Sequence, residues 1–134
     1  AALKMISDME RIGDQASDIA DMVPYIRFSE AKSKVHIEAM ARATVKMVTD
    51  SVEAFVQEDL DLAERVIDSD DEVDELFTKV KKELMDLIYA KDIDAKVALD
   101  LLMTAKYYER IGDHAVNIAE WVVYSITGVH KSNE

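Results

Sequence analysis

Residues 109–120 read Glu-Arg-Ile-Gly-Asp-His-Ala-Val-Asn-Ile-Ala-Glu, and residues 10–21 read Glu-Arg-Ile-Gly-Asp-Gln-Ala-Ser-Asp-Ile-Ala-Asp. Most positions are identical, and similarity that recurs at one offset marks a duplicated structural unit. At about 100° per residue of an α-helix, Glu109, Asp113, Asn117 and Glu120 fall within roughly a quarter turn of one another, as do Glu10, Asp14, Asp18 and Asp21. Ile111, Ala115, Ile118 and Val122, with their counterparts Ile12, Ala16, Ile19 and Val23, lie on roughly the opposite side. Each copy is therefore an amphipathic helix with one oxygen-bearing face and one apolar face. Gly13 and Gly112 each cost about 1 kcal/mol relative to alanine inside a helix, a penalty expected where another backbone approaches closely.

Outward from these copies, the chain continues in helical periodicity. Its 134 residues suit one domain, and three glycines, one proline and no cysteine leave few turn signals. The first helix is predicted to run to about Val23, because Pro24 restricts the residue before it, with a kink continuing toward Phe28 as the alternative. It opens at Ala1 without a capping residue, as expected of a fragment that enters in mid-helix. Ser29 is positioned to cap a second helix through about Gln57, with Ile37, Met40, Thr44, Val48, Val52 and Phe55 as its apolar stripe. Asp61 and Glu64 have the spacing of a capping box for a third helix, carrying Leu62, Val66, Val73, Phe77, Val80, Leu84 and Leu87. Residues 91–94 form the next turn. A fourth helix spans about Ala95 to Thr127 and stops at Gly128, and Val129 to Glu134 is a polar tail expected to fray. Connections this short place successive helices antiparallel, so the predicted fold is all-α, an up-and-down bundle of four long helices.

The formal net charge of −12 repels phosphodiester backbones and anionic membrane surfaces, which argues against nucleic acid as a partner. Charges interrupt every apolar run before the roughly 20 residues needed to cross a bilayer, and no signal peptide opens the chain. A soluble, cytoplasmic protein without direct membrane insertion is expected. Without cysteine, any metal must sit on oxygen or imidazole ligands. His36, His114 and His130 lack Glu-x-x-His or His-Glu-x-x-His spacing, which counts against a di-iron carboxylate centre or a zinc protease. No phosphate-cradling glycine loop or nucleophile elbow is present, and no catalytic residue is assigned.

Carboxylates at i and i+4 repel each other by roughly 0.2 to 0.5 kcal/mol, and a cation between them reverses the sign. Hard ions take several oxygen ligands, so two carboxylates on one helix form half a site and a neighbouring helix must supply more. The third helix offers Asp70 and Asp74, again at i and i+4, at the margin of its apolar stripe. Asp71, Glu72 and Glu75 add charge but are expected to point elsewhere. Asp70, Asp74, Glu109 and Asp113 form the leading candidate metal site. A single Asp-x-x-x-Asp is more often a solvated face. Duplication and a matching acidic pair on another helix weaken that bland reading without removing it.

The twin Glu-Arg-Ile-Gly-Asp segments, with Glu58-Asp59-Leu60-Asp61-Leu62-Ala63 and Asp70-Asp71-Glu72-Val73-Asp74, resemble the PhoU phosphate transport system regulators over nearly the whole chain. The resemblance implies three-helix repeats whose Glu/Asp-x-x-x-Asp motifs bind metal ions or multinuclear clusters. On that basis residues 1–28 correspond to the last helix of a first repeat, residues 29–128 to a complete second repeat, and residues 129–134 to the tail. Asp70, Asp74, Glu109 and Asp113 match the motifs of the second repeat, and Glu10 and Asp14 match the first, whose partner helix is missing here. The orphan helix either packs as a fourth member of its own bundle or exchanges with a second chain, and a homodimer is expected. The implied ion is iron, zinc, magnesium or manganese. The implied function is negative regulation of phosphate uptake and phosphate-starvation signalling, without catalysis, through contact with the phosphate ABC transporter ATPase and its sensor histidine kinase. A metal-free helical adaptor and, further off, a carboxylate-bridged metal enzyme are the other readings.

Overall fold

The structure, a computed structural model, describes Ser7, Glu10, Arg11 and residues 36–128. Among these residues there is no strand, and four helical segments account for the fold: α1 (Ile37–Gln57), α2 (Leu60–Asp68), α3 (Asp70–Tyr89) and α4 (Ala95–Thr127). Each segment touches the other three. The expected all-α bundle is therefore present, built from α1, the rod α2–α3, and α4. The predicted first helix, with Pro24 and Ser29, and the tail 129–134 lie outside the described residues, apart from Ser7, Glu10 and Arg11, which are helical.

The ends of these helices follow from local chemistry. His36 precedes α1 and gives it no side-chain cap. Glu83 of α3 supplies the anion instead: it accepts the His36 backbone N–H at 3.0 Å and lies 2.6 Å from His36 Nδ1. A carboxylate at this end opposes the positive pole of the helix dipole. α1 closes on Glu58, a non-glycine residue with φ 52°, which leaves only Asp59 to start the next helix. Asp59 accepts the Leu62 N–H at 3.1 Å, so the cap of α2 sits two residues before the predicted Asp61 box. α3 ends with Lys91 at φ 57° and paired bonds from Lys91 N–H to the Ile88 carbonyl and Asp92 N–H to the Leu87 carbonyl. This is a Schellman closure made without glycine. Asp94, in the predicted turn, caps α4 through the Lys96 N–H, and Gly128 stops the helix at φ 77° as the sequence predicts.

The predicted third helix is two segments meeting at Ser69. Its hydroxyl donates to the Arg65 carbonyl at 2.8 Å, and its N–H is shared between the Arg65 and Val66 carbonyls. A serine bonding back one turn competes with the helical ladder and bends the rod. Ser69 keeps right-handed backbone angles, so α3 resumes at once with Asp70, Asp71 and Glu72 in its first turn.

Val73, Phe77, Val80, Leu84 and Leu87 of α3 are buried as expected. The buried stripe of α1 differs from the prediction after Thr44: it continues through Met47, Ser51 and Ala54, while Val52 and Phe55 are each 39% exposed. Ser51 and Ala54 are fully buried, as are Ala63, Ala105, Ala115 and Ala119. Small residues let the helices approach, and a stripe chosen by side-chain size overlooks them. Gly112 corrects another expectation. A Cβ there would meet Met47 Sδ and Val73 Cγ1 at 3.7 Å, ordinary contact with side chains rather than a backbone approach.

Candidate metal centre

The same packing sets the register of the acids. Gly112 of α4 lies against Val73 of α3, and Phe77, one turn further along α3, lies beneath Lys106 of α4 at 4.9 Å from ring centroid to ammonium. The two helices are antiparallel here, so the first turn of α3 faces the middle of α4. Asp70 and Asp74 thereby come opposite Glu109 and Asp113.

Asp70 is half-buried, and its Oδ1 is fully buried with no hydrogen-bond partner. Its carboxyl is pushed up from the ordinary 3.8 to about 6, first by burial and then by the charges of Asp74, Asp113, Asp71 and Glu109. Asp74 is raised by burial, then by Glu109 and Asp71. Asp113 is raised by burial, then by Glu109 and Asp74, with His114 and Lys106 acting the other way. Each of these shifts includes a carboxylate from the opposite helix. Lys106 Nζ approaches Glu109 Oε1 at 3.0 Å.

The sequence reading missed two neighbours. Asp71, expected to point away, can bring a carboxylate oxygen within 4.8 Å of those of Asp70 and Asp74. Its i, i+3 spacing to Asp74 was the available signal. That tight cluster holds α3 acids alone, with Glu109 and Asp113 facing it across the helix pair. Lys106, three residues before Glu109, was the other. His36 is paired with Glu83, far along α3 from these acids, and His114 is half-buried beside Asp113. Glu10 is helical and exposed; Asp14 and His130 lie outside the described residues.

A family model, the PhoU domain, matches residues 37–122, which include both acidic pairs. The chain belongs to the PhoU family. It is 38% identical over 128 residues to the phosphate-specific transport system accessory protein PhoU homolog 1 of Thermotoga maritima, covering 94% of this chain and 55% of that protein. The PhoU homolog of Aquifex aeolicus is 40% identical over 108 residues, covering 80% of this chain and 49% of that one. The crystal structure of PhoU from Pseudomonas aeruginosa superposes with a TM-score of 0.85 at 32% identity, over 94% of this chain and 61% of that chain. The chain thus spans about half the length of the curated PhoU relatives it matches. No helix among the described residues is long and apolar enough to cross a membrane.

Proposed function

We propose that this PhoU chain binds hard metal ions between α3 and α4 and acts as a negative regulator of phosphate uptake and phosphate-starvation signalling. The observation that carries the metal reading is Asp70 Oδ1, a buried carboxylate oxygen with no donor, surrounded by the charges of four other acids. Such an oxygen is costly unless a proton or cation satisfies it. The donor set fits a hard cation: all candidate ligands are carboxylates, and the i, i+4 pairs supply oxygens from two helices. Asp70, Asp71 and Asp74 would hold an ion from one side, with Glu109 and Asp113 closing from the other or holding a second. Bound metal would neutralise the repulsion and fix α3 against α4. Iron, zinc, magnesium and manganese are the candidates, and Glu10 with Asp14 would form half of a like site.

The regulatory part rests on the relatives' description as accessory proteins of phosphate-specific transport. In this reading the chain works by protein contact, with the transporter ATPase and the sensor histidine kinase as partners, in the cytoplasm and without catalysis. A homodimer is the assembly this reading expects.

Metal content after purification in manganese tests the site, comparing wild type with a variant carrying Asp70→Asn, Asp74→Asn, Glu109→Gln and Asp113→Asn. These substitutions remove repulsion, so the variant should fold. Retention by wild type alone is expected, and equal near-zero content in both would sink the reading. The exposed acids Asp71 and Asp74 favour one alternative, a metal-free adaptor that recognises a basic partner. Partner binding that the variant loses and chelators leave unchanged would select it.

A further inference from the structure

Lys106 stands out among the basic residues because it contacts both helices that carry the acids, pairing with Glu109 of α4 and lying over Phe77 of α3. Its ammonium lies 3.0 Å from Glu109 Oε1, one turn away on α4, and 4.9 Å from the centroid of Phe77 on α3. Its side chain is 55% exposed and that of Glu109 is 22% exposed. An exposed ion pair of this kind is weak and readily exchanged. In this same position the ammonium lies over the Phe77 ring, and a cation over an aromatic face is stabilised by the ring quadrupole. Lys81 also approaches that ring, at 5.8 Å, from α3.

We infer that Lys106 is a resident counter-ion of the acidic centre, competing with a divalent cation for Glu109 and thereby holding cation affinity down. The inference rests on the metal reading above and adds to it an element that tunes affinity. A divalent ion on Glu109 and the ammonium cannot share Oε1 closely without like-charge repulsion. The lysine then swings off Glu109 toward solvent, and its remaining charge opposes the ion. The consequence is reversible binding, able to follow the free concentration of the ion.

Calorimetric titration with manganese alone tests this on wild type, Lys106→Gln, Lys106→Arg and Lys81→Gln, at low and high salt. Lys106→Gln should bind about 3- to 10-fold more tightly at low salt, the range expected for removing one weak ion pair and its repulsion. The gain should shrink at high salt, where screening shortens the reach of the charge. Lys106→Arg, which keeps the charge, and Lys81→Gln, which removes a charge without an ion pair to Glu109, should stay within about 2-fold of wild type. Unchanged or weaker binding by Lys106→Gln, or an equal gain from Lys81→Gln, overturns the inference and leaves the metal reading standing. Absence of binding in both wild type and Lys106→Gln overturns both.

Discussion

Ser69 donates its hydroxyl to the Arg65 carbonyl at 2.8 Å, and at that residue one long rod becomes α2 and α3. The bend places Asp70, Asp71 and Glu72 at the start of a new segment, where the N–H ends of the peptide dipoles favour acidic side chains. The fold and the acidic centre are coupled at this residue.

Ser69→Ala removes the competing bond and should straighten the junction. Serine back-bonding slightly destabilises a helix, so unfolding free energy in urea should stay within about 0.5 kcal/mol of wild type. Manganese affinity should fall, because Asp70 shifts relative to Glu109. A loss of stability above about 1 kcal/mol would show that the hydroxyl holds the fold together rather than bending it.

Asp70 predicts a pH dependence with a definite sign. Its folded pKa, about 6, lies above the ordinary 3.8, so the folded state holds the proton more tightly than the unfolded chain. This group therefore costs stability fully above about pH 6, and the cost disappears as pH falls toward 3.8. The bare shift corresponds to about 3 kcal/mol, which solvent screening at this half-buried position reduces to about 1 kcal/mol. Without metal, Asp70→Asn should be more stable than wild type at pH 7 by about that amount, with the gap closing between pH 6 and 4. A variant less stable than wild type at pH 7, in chelator, would reverse the assigned sign.

Gly112→Ala should raise stability. The added methyl would sit 3.7 Å from Met47 Sδ and Val73 Cγ1, in ordinary contact, while alanine gains about 1 kcal/mol of helix propensity over glycine. Thermal unfolding would show a higher Tm; a lower one would mean that α1 and α3 cannot accommodate the methyl.

Much of the fold was legible because the chain punctuates its helices with residues of distinct backbone chemistry. Asp94 and Gly128 bound α4 as expected, and the three-four spacing from Val73 to Leu87 located the core face of α3. The bend at Ser69 was not legible, since a serine within a helical pattern gives no sign of whether its hydroxyl will turn back to the preceding carbonyl. Ser51 and Ala54 were overlooked on α1 because their burial reflects close helix approach, which depends on what packs opposite. In the candidate centre, the i, i+4 pairs named the four facing carboxylates. Asp71 was legible from its i, i+3 spacing to Asp74 and was passed over, whereas the position of Lys106 over Phe77 required the antiparallel register of α3 and α4.

In the reading proposed above, α3 and α4 hold a cation between them. An anomalous-scattering map from crystals grown with manganese tests it most directly. A peak is expected within about 2.0 to 2.6 Å of carboxylate oxygens from both Asp70 or Asp74 and Glu109 or Asp113. A map with no peak there, or with manganese only on acids that do not bridge the two helices, would contradict it.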